Sequence, residues 1–312
     1  MLIAALVLSL AGAPEAPRPP LPVRRLAPGV YAVLGDTGRG SEGRANAGFV
    51  VTGDGVVAID AQASPVDAER MLASIRSVTR QPVRWVILTH HHPDHHFGTI
   101  VFKRGGAQVI AHPETRTLSA EGGEDAALAD WSRVVGIQNL LGFEYANTPG
   151  RPVTGTDTLR LGGSTLVVSH PGGAHTPGDL VVWLPSQRVL FAGDLLIEDG
   201  VSMVVDGNSG VMLRALDRLD GYGARVVVPG HGRIPTAPDD LVDSTRRYLT
   251  ALRADMRQAV EAGTPMKAAL APLPPPDPER PVSPNSRRRR NAARVYVEME
   301  REAFGLDGDT TP

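Results

Sequence analysis

Thr89-His90-His91-His92-Pro93-Asp94-His95-His96 decides how this chain is read. The run holds an H-x-H-x-D-H spacing directly after the apolar, β-branched stretch Val83-Arg84-Trp85-Val86-Ile87-Leu88. If strand geometry persists into it, the imidazoles of His90 and His92 point the same way and can share one metal ion. Asp94 and His95 follow where the chain turns toward a helix, and could serve a second ion. A donor set of imidazole and carboxylate without thiolate suits zinc first, with manganese or iron as alternatives. An affinity tag would neither follow a buried strand nor carry an interleaved Pro-Asp.

The bulk properties allow a sizeable core. The chain has 312 residues and a formal charge of -2, so no global basic field invites nucleic acid. Arg287-Arg288-Arg289-Arg290 reads as a solvated turn. Cysteine is absent, which removes disulfides, thiol nucleophiles, Cys-ligated zinc and a lipid-anchored cysteine from consideration. Leu2 to Ala13 is an apolar run of signal-peptide length, too short to span a bilayer comfortably. With the Pro-rich stretch Pro14 to Pro22, it reads as a secretory signal or anchor with a tether, which places the protein in the periplasm or outside the cell. No Lys or Arg precedes the run, and Pro14 is a poor neighbour for a cleavage site.

From Val30 onward the pattern is β-rich. Strands are expected at 30–34, 47–51 and 55–60, with Gly53-Asp54-Gly55 as a hairpin turn. Residues 65–78 have helical spacing. A short helix at 98–103 and a strand at 107–111 complete a β-α-β passage. Residues 114–146 read as helix or loop crossing over the site. Antiparallel strands are expected at 158–161, 164–169, 179–184 and 188–192. A helix at 210–219, a strand at 224–228, a long amphipathic helix at 238–261, a Pro-rich spacer and a last helix at 291–304 follow. The divisions expected are 1–26 for signal and linker, 27–236 for a catalytic domain and 237–312 for a C-terminal helical extension. The halves suggest a layered α/β/β/α sandwich.

One cluster cannot complete two metal sites, and the chain returns to it three times at strand ends. Gly172-Gly173-Ala174-His175-Thr176-Pro177-Gly178-Asp179 sets a histidine in a Gly-rich loop, where backbone can approach closely. Phe191-Ala192-Gly193-Asp194 brings a carboxylate off an apolar strand. Val228-Pro229-Gly230-His231-Gly232 brings another histidine. Singly each has an ordinary structural reading, as turn, cap or core residue; order and placement together set them apart.

Across roughly Leu26 to Arg233 these four motifs resemble those of the metallo-β-lactamase superfamily, in order and approximate spacing. The resemblance implies the αββα sandwich of two mixed sheets flanked by helices. It implies that His90, His92 and His175 bind a first zinc ion and Asp94, His95 and His231 a second, with Asp194 bridging. It further implies hydrolysis of a small-molecule substrate by a metal-bridging hydroxide, since paired ions about 3.5–4 Å apart lower the pKa of a shared water toward ~7. Asp94 could also orient that nucleophile.

Departures narrow the branch. The β-lactamases with cysteine in the second site would carry it where Asp194 stands, and many place a carboxylate-binding lysine where Ile197 stands. Asn208 nonetheless falls near their substrate-contacting asparagine. The glyoxalase II branch shares the aspartate bridge but continues its last histidine as His-Glu-Tyr, whereas His231 precedes Gly232-Arg233. The tail around Arg294 to Glu300 is similar to exported hydrolases associated with sulfur oxidation and quinoprotein systems. The expectation is a binuclear zinc hydrolase of a small ester, thioester, lactone or amide, with β-lactamase as the alternative. An iron-dependent persulfide dioxygenase-like enzyme and a non-catalytic metal binder are further classes. His170 opens the loop that carries His175 and could support it from behind; His112 reads as structural, His91 as facing away from its neighbours, and His96 is unassigned.

Overall fold

The computed structural model describes residues 19–35, 44–121, 124–198, 200–276 and 283–306. The apolar N-terminal run and most of the 36–44 loop lie outside them. The elements in chain order are β1 (Val23–Ala27), β2 (Val30–Val33), β3 (Ala47–Thr52), β4 (Gly55–Ile59), α1 (Pro65–Val78), β5 (Val83–Ile87), α2 (Pro93–His96), α3 (Thr99–Arg104), β6 (Gln108–Ala111), α4 (Glu114–Glu121), α5 (Glu124–Val135) and β7 (Arg151–Pro152). The second half adds β8 (Thr156–Leu161), β9 (Ser164–Ser169), β10 (Val181–Leu184), β11 (Val189–Ile197), α6 (Ser209–Gly221), β12 (Val226–His231), α7 (Pro238–Glu261), α8 (Met266–Ala269) and α9 (Pro284–Ala303).

Two mixed sheets result. The first runs β1-β2-β3-β4-β5-β6-β7 and the second β12-β11-β10-β9-β8. β1 to β4 pair antiparallel, and β4 to β7 pair parallel. In the second sheet only β11 and β12 are parallel. The period-2 alternation of side chains explains the layering. In β4, Val57 and Ile59 face the second sheet while Val56 and Ala58 face α1 and α3. In β10, Val182 and Leu184 meet the first sheet while Trp183 faces the other helical layer. Both faces of these strands are therefore apolar, as covered sheets require. The fold is an αββα sandwich.

Helix starts carry their own signals. Ser64 caps α1 by accepting from the Asp67 backbone N–H, with proline in the first turn. Ser283 and Pro284 do the same for α9. That cap corrects the expectation of a turn at Arg287–Arg290: the run lies inside α9, which starts before the predicted Asn291. Arginine is a good helix former, and these side chains find partners. Arg289 donates to the carbonyls of Leu270 and Leu273 at 3.0 and 2.9 Å, and Arg288 lies over the Tyr248 ring. α6, α7 and α9 close one hydrophobic cluster with the outer face of the second sheet. β1, unread in the sequence, pairs with β2 before the Leu26 boundary. No helix among the described residues is long and apolar enough to cross a membrane.

Sheet-to-sheet distance is set partly by Gly48 in β3. A Cβ there would stand 2.2 Å from the Phe191 ring of β11. Gly48→Ala is expected to destabilise the protein by about 1–3 kcal/mol through overpacking, read as a lower urea midpoint; an unchanged midpoint would show slack between the sheets.

Candidate metal centre

β5 ends at Ile87, so the histidine run is not strand but a loop leading into the short helix α2. His90 and His92 still come together, with ring centroids 4.8 Å apart, because His92 keeps an extended backbone before Pro93 starts the turn. The strand-end motifs meet them. Ligand atoms of His90, His92, His175 and Asp194 lie within 4.8 Å of one another, as do those of Asp94, His95 and His231. Asp194 stands between the groups: its carboxylate is 3.6 Å from His175 Nε2, 3.3 Å from His95 Nε2 and 3.5 Å from His231 Nε2. Gly230 must be glycine for this, since a Cβ there would fall 1.8 Å from Asp194 Oδ1.

In His90, His92, His95 and His175 one ring nitrogen is already engaged from outside, which orients the ring. Asp60, at the end of β4, accepts from the Thr89 backbone N–H at 2.8 Å and from Thr89 Oγ1 at 2.9 Å. With that hydroxyl proton spent, His90 Nδ1–H donates to Thr89 Oγ1 at 3.1 Å. His95 Nδ1–H donates to Asp60 at 2.9 Å. His175 Nδ1–H donates to the Met203 carbonyl at 2.7 Å, and His92 Nε2–H to Asp206 at 3.0 Å. The remaining nitrogens therefore turn inward, those of His90, His92 and His175 as lone pairs, and His175 Nε2 faces His92 Nδ1 at 3.0 Å. His90 Nε2 and Asp194 Oδ1 are buried without a hydrogen-bond partner. Orphaned buried acceptors turned toward one another need a cation, so the donor set fits divalent metal.

The electrostatics divide the groups. Burial first, then neighbouring imidazoles, hold His90 well below the ordinary histidine range and His175 down to about 4. In the other group burial is outweighed by carboxylates. Asp194 and Asp94 push His231 up to about 10, and Asp94, Asp60 and Asp194 hold His95 well above its usual value. Asp94 in turn is held ionised, down to about 2 against burial, by His95 and His231.

The sequence missed several supports. Asp60 is one, although an aspartate ending an apolar strand is the same signal that marked Asp194. Asp206 is a second. Asp179 is a third: it accepts from the backbone N–H groups of Ala174, His175 and Thr176, fixing the loop that carries His175. Burial pushes its carboxyl up to about 7, against those hydrogen bonds. Buried Asn46 donates from Nδ2 to the carbonyls of Pro229 and Gly232 at 2.9 and 2.8 Å, anchoring the strand end that bears His231.

Other predicted residues take quieter places. Asn208 caps α6, its Oδ1 accepting from the Val211 N–H at 2.9 Å. His170 bonds the Asp179 carbonyl at 2.7 Å and stacks on His112, so it reaches His175 only through the loop. His91, expected to face away, lies within 4.8 Å of both His92 and Asp206 by ligand atoms, and burial takes it down to about 3. Ile197 is buried at the end of β11.

α9 holds the loop behind the first group. Asn291, buried, accepts from the Val204 N–H at 3.0 Å and donates to the Ser202 carbonyl at 2.8 Å, either side of Met203. Buried Glu298 accepts from the Ser209 N–H and hydroxyl, and Arg294 donates to the Gly207 carbonyl at 2.6 Å.

Residues 40–231 match the family model described as Metallo-beta-lactamase superfamily. Among curated relatives, Metallo-beta-lactamase IND-1 of Chryseobacterium indologenes is 26% identical over 207 residues, 65% of this chain and 77% of that protein. A hydroxyacylglutathione hydrolase of Hyphomonas neptunium (strain ATCC 15444) is 29% identical over 181 residues, 56% of this chain and 57% of its own length. Among solved structures, a metallo-beta-lactamase from Pontibacter korlensis superposes with a TM-score of 0.60 at 27% identity, covering 74% of this chain and 99% of that one.

Two outcomes test the centre. Asn291→Leu is expected to weaken metal binding at His90, His92 and His175 by about 10–100-fold while sparing Asp94, His95 and His231, read by stepwise chelator competition; equal loss at both groups would mean general unfolding. Because His231 and His95 hold protons in the metal-free protein, binding at their group must release them. Affinity there is expected to rise with pH between 6 and 9, by about tenfold per unit for each proton released, measured by competition titration.

Proposed function

Since this chain belongs to the metallo-beta-lactamase superfamily and is a metal-dependent hydrolase, we propose that it is a binuclear zinc enzyme that cleaves a small ester, thioester, lactone or amide. The observation that carries this reading is the convergence of ring nitrogens turned inward by the outer partners of His90, His92, His95 and His175, with Asp194 spanning two adjoining ligand groups. His90, His92 and His175 would hold one ion, and Asp94, His95 and His231 the other. When bound, such ions polarise a carbonyl oxygen and bring the pKa of water from 15.7 toward about 7.

The chain's own residues account for the rest. Asp94 stays ionised well below neutrality, so it can accept a hydrogen bond from the attacking water and aim it. Asp60 and Asp206 keep the rings from turning, and near-attack geometry depends on that rigidity. Asn46 and Asp179 hold the two loops on either side.

β-Lactam hydrolysis is the second reading, favoured by the extent of similarity to IND-1 and to the Pontibacter korlensis structure. Asp194 in place of cysteine and Ile197 in place of lysine weigh toward the esters and thioesters. A one-iron oxidoreductase is disfavoured by the complete second group, Asp94, His95 and His231.

The test is a turnover panel on zinc-reconstituted protein with a chromogenic β-lactam, a glutathione thioester, an aryl ester and an acyl lactone. One of these is expected to exceed the others by orders of magnitude, with two zinc ions per chain by elemental analysis. His90→Ala is expected to lose one ion and abolish turnover. Full activity in that variant, or a single iron in the native protein, would falsify the assignment.

A further inference from the structure

Beside the metal centre lies a cavity of about 720 Å³ that the hydrolytic reading does not use. Its walls are the Gly172-Gly173 turn of the loop carrying His175, the start of α6, and α9 at Arg294. Asp206 is common to cavity and centre: it lines the cavity and accepts from His92 at 3.0 Å.

The cavity is cationic by construction. Arg214 and Arg218 of α6 and Arg294 all line it, against one carboxylate, Asp206, already engaged by His92. Arg294 shares its charge with Glu298 at 3.2 Å. Arg218 gives one N–H to the Pro171 carbonyl at 2.9 Å and pairs with no carboxylate among the described residues. Arg214 has no hydrogen bond or ion pair among them. The acids of α6 turn the other way, Asp217 and Asp220 toward Arg246 of α7. One helix thus separates its charges, guanidiniums to the cavity and carboxylates to its neighbour. Arg214 and Arg218 are like charges at i,i+4, an arrangement that opposes the helix unless an anion lies between them. The N-terminus of α6 is already met by the Glu298 carboxylate and the Asn208 cap, so the charge of the wall rests on the arginines.

We propose that this cavity binds an oxyanion, a carboxylate or phosphate, carried by the substrate away from the scissile bond, with Arg214 and Arg218 as its contacts. This rests on the hydrolytic reading of the adjoining centre and adds the substrate class: a small acyl compound with an anionic tail. Guanidinium is suited to the role because its planar fork meets carboxylate and phosphate with two parallel hydrogen bonds.

The experiment compares aryl esters of matched length bearing a carboxylate, a phosphate, a neutral or an ammonium tail, on zinc-loaded wild type, Arg214→Gln and Arg214→Glu. The ratio of kcat/KM for anionic over neutral ester is expected to exceed one in wild type and fall about 10–100-fold in Arg214→Gln. In Arg214→Glu the ammonium ester should become the preferred one. Whichever anionic ester leads names the oxyanion. Calorimetric titration with benzenesulfonate, a weak metal ligand, runs alongside. If no ester is turned over, the ester form of the hydrolytic reading fails by itself. Saturable sulfonate binding lost in Arg214→Glu would then still support the cavity, and none in wild type would overturn it. Ratios unmoved in both variants, with sulfonate binding equally, would overturn it while the hydrolase stands.

Discussion

A buried imidazole can donate from one nitrogen only when neutral, and which one is decided by what stands behind it. Asp60 settles that question for both ligand groups at once. Its carboxylate takes the Thr89 hydroxyl proton, which turns His90 one way, and it takes the Nδ1 proton of His95, which turns that ring. Its own backbone sits at φ 60°, a left-handed conformation uncommon for a residue with a side chain. Such strain persists where surrounding structure over-determines it. Here the Asp60 N–H bonds the Ile87 carbonyl of the neighbouring strand, and the side chain is closed in by three donors.

The sandwich explains why so many ligands arrive at one edge. β4, β5, β11 and β12 run in the parallel parts of their sheets, so Asp60 and the histidine run follow the C-terminal ends of β4 and β5, His231 closes β12, and Asp194 stands in the C-terminal half of β11. Parallel strands share an end by definition, and ligands gather there in open α/β sheets for the same reason. The apolar filling between the sheets does no chemistry; it fixes the separation across which Asp94 and His231 meet at 2.9 Å.

What could be read in advance was local. The four motifs were legible because each is a few residues long, lies in or just after an apolar strand and holds a ligand-type side chain. Asp60 carried the same mark, yet nothing beside it in sequence resembled a metal motif, so its role appears only when β4 is laid against β5. The tie from Asn291 to Val204 spans 87 residues and leaves no periodic trace. The arginine run at 287–290 showed composition but hid conformation, since the deciding signal, Ser283-Pro284, lies upstream. Charge separation on α6 was invisible for another reason. Arg214, Asp217, Arg218 and Asp220 alternate harmlessly in sequence, and only the position of α7 assigns the two signs to different faces.

The hold of α9 on the 202–209 loop has a consequence in time. A ribosome adding roughly 5–20 residues per second makes Val204 about 4–17 s before the Asn291 that bonds it, given their separation of 87 residues. During that interval Met203, which receives the His175 proton, has no buttress. The polar partners of Asp94, His95 and His231, which are Asp60, Asp194 and one another, all precede α9 in the chain, whereas the loop behind His175 is tied by a residue made later.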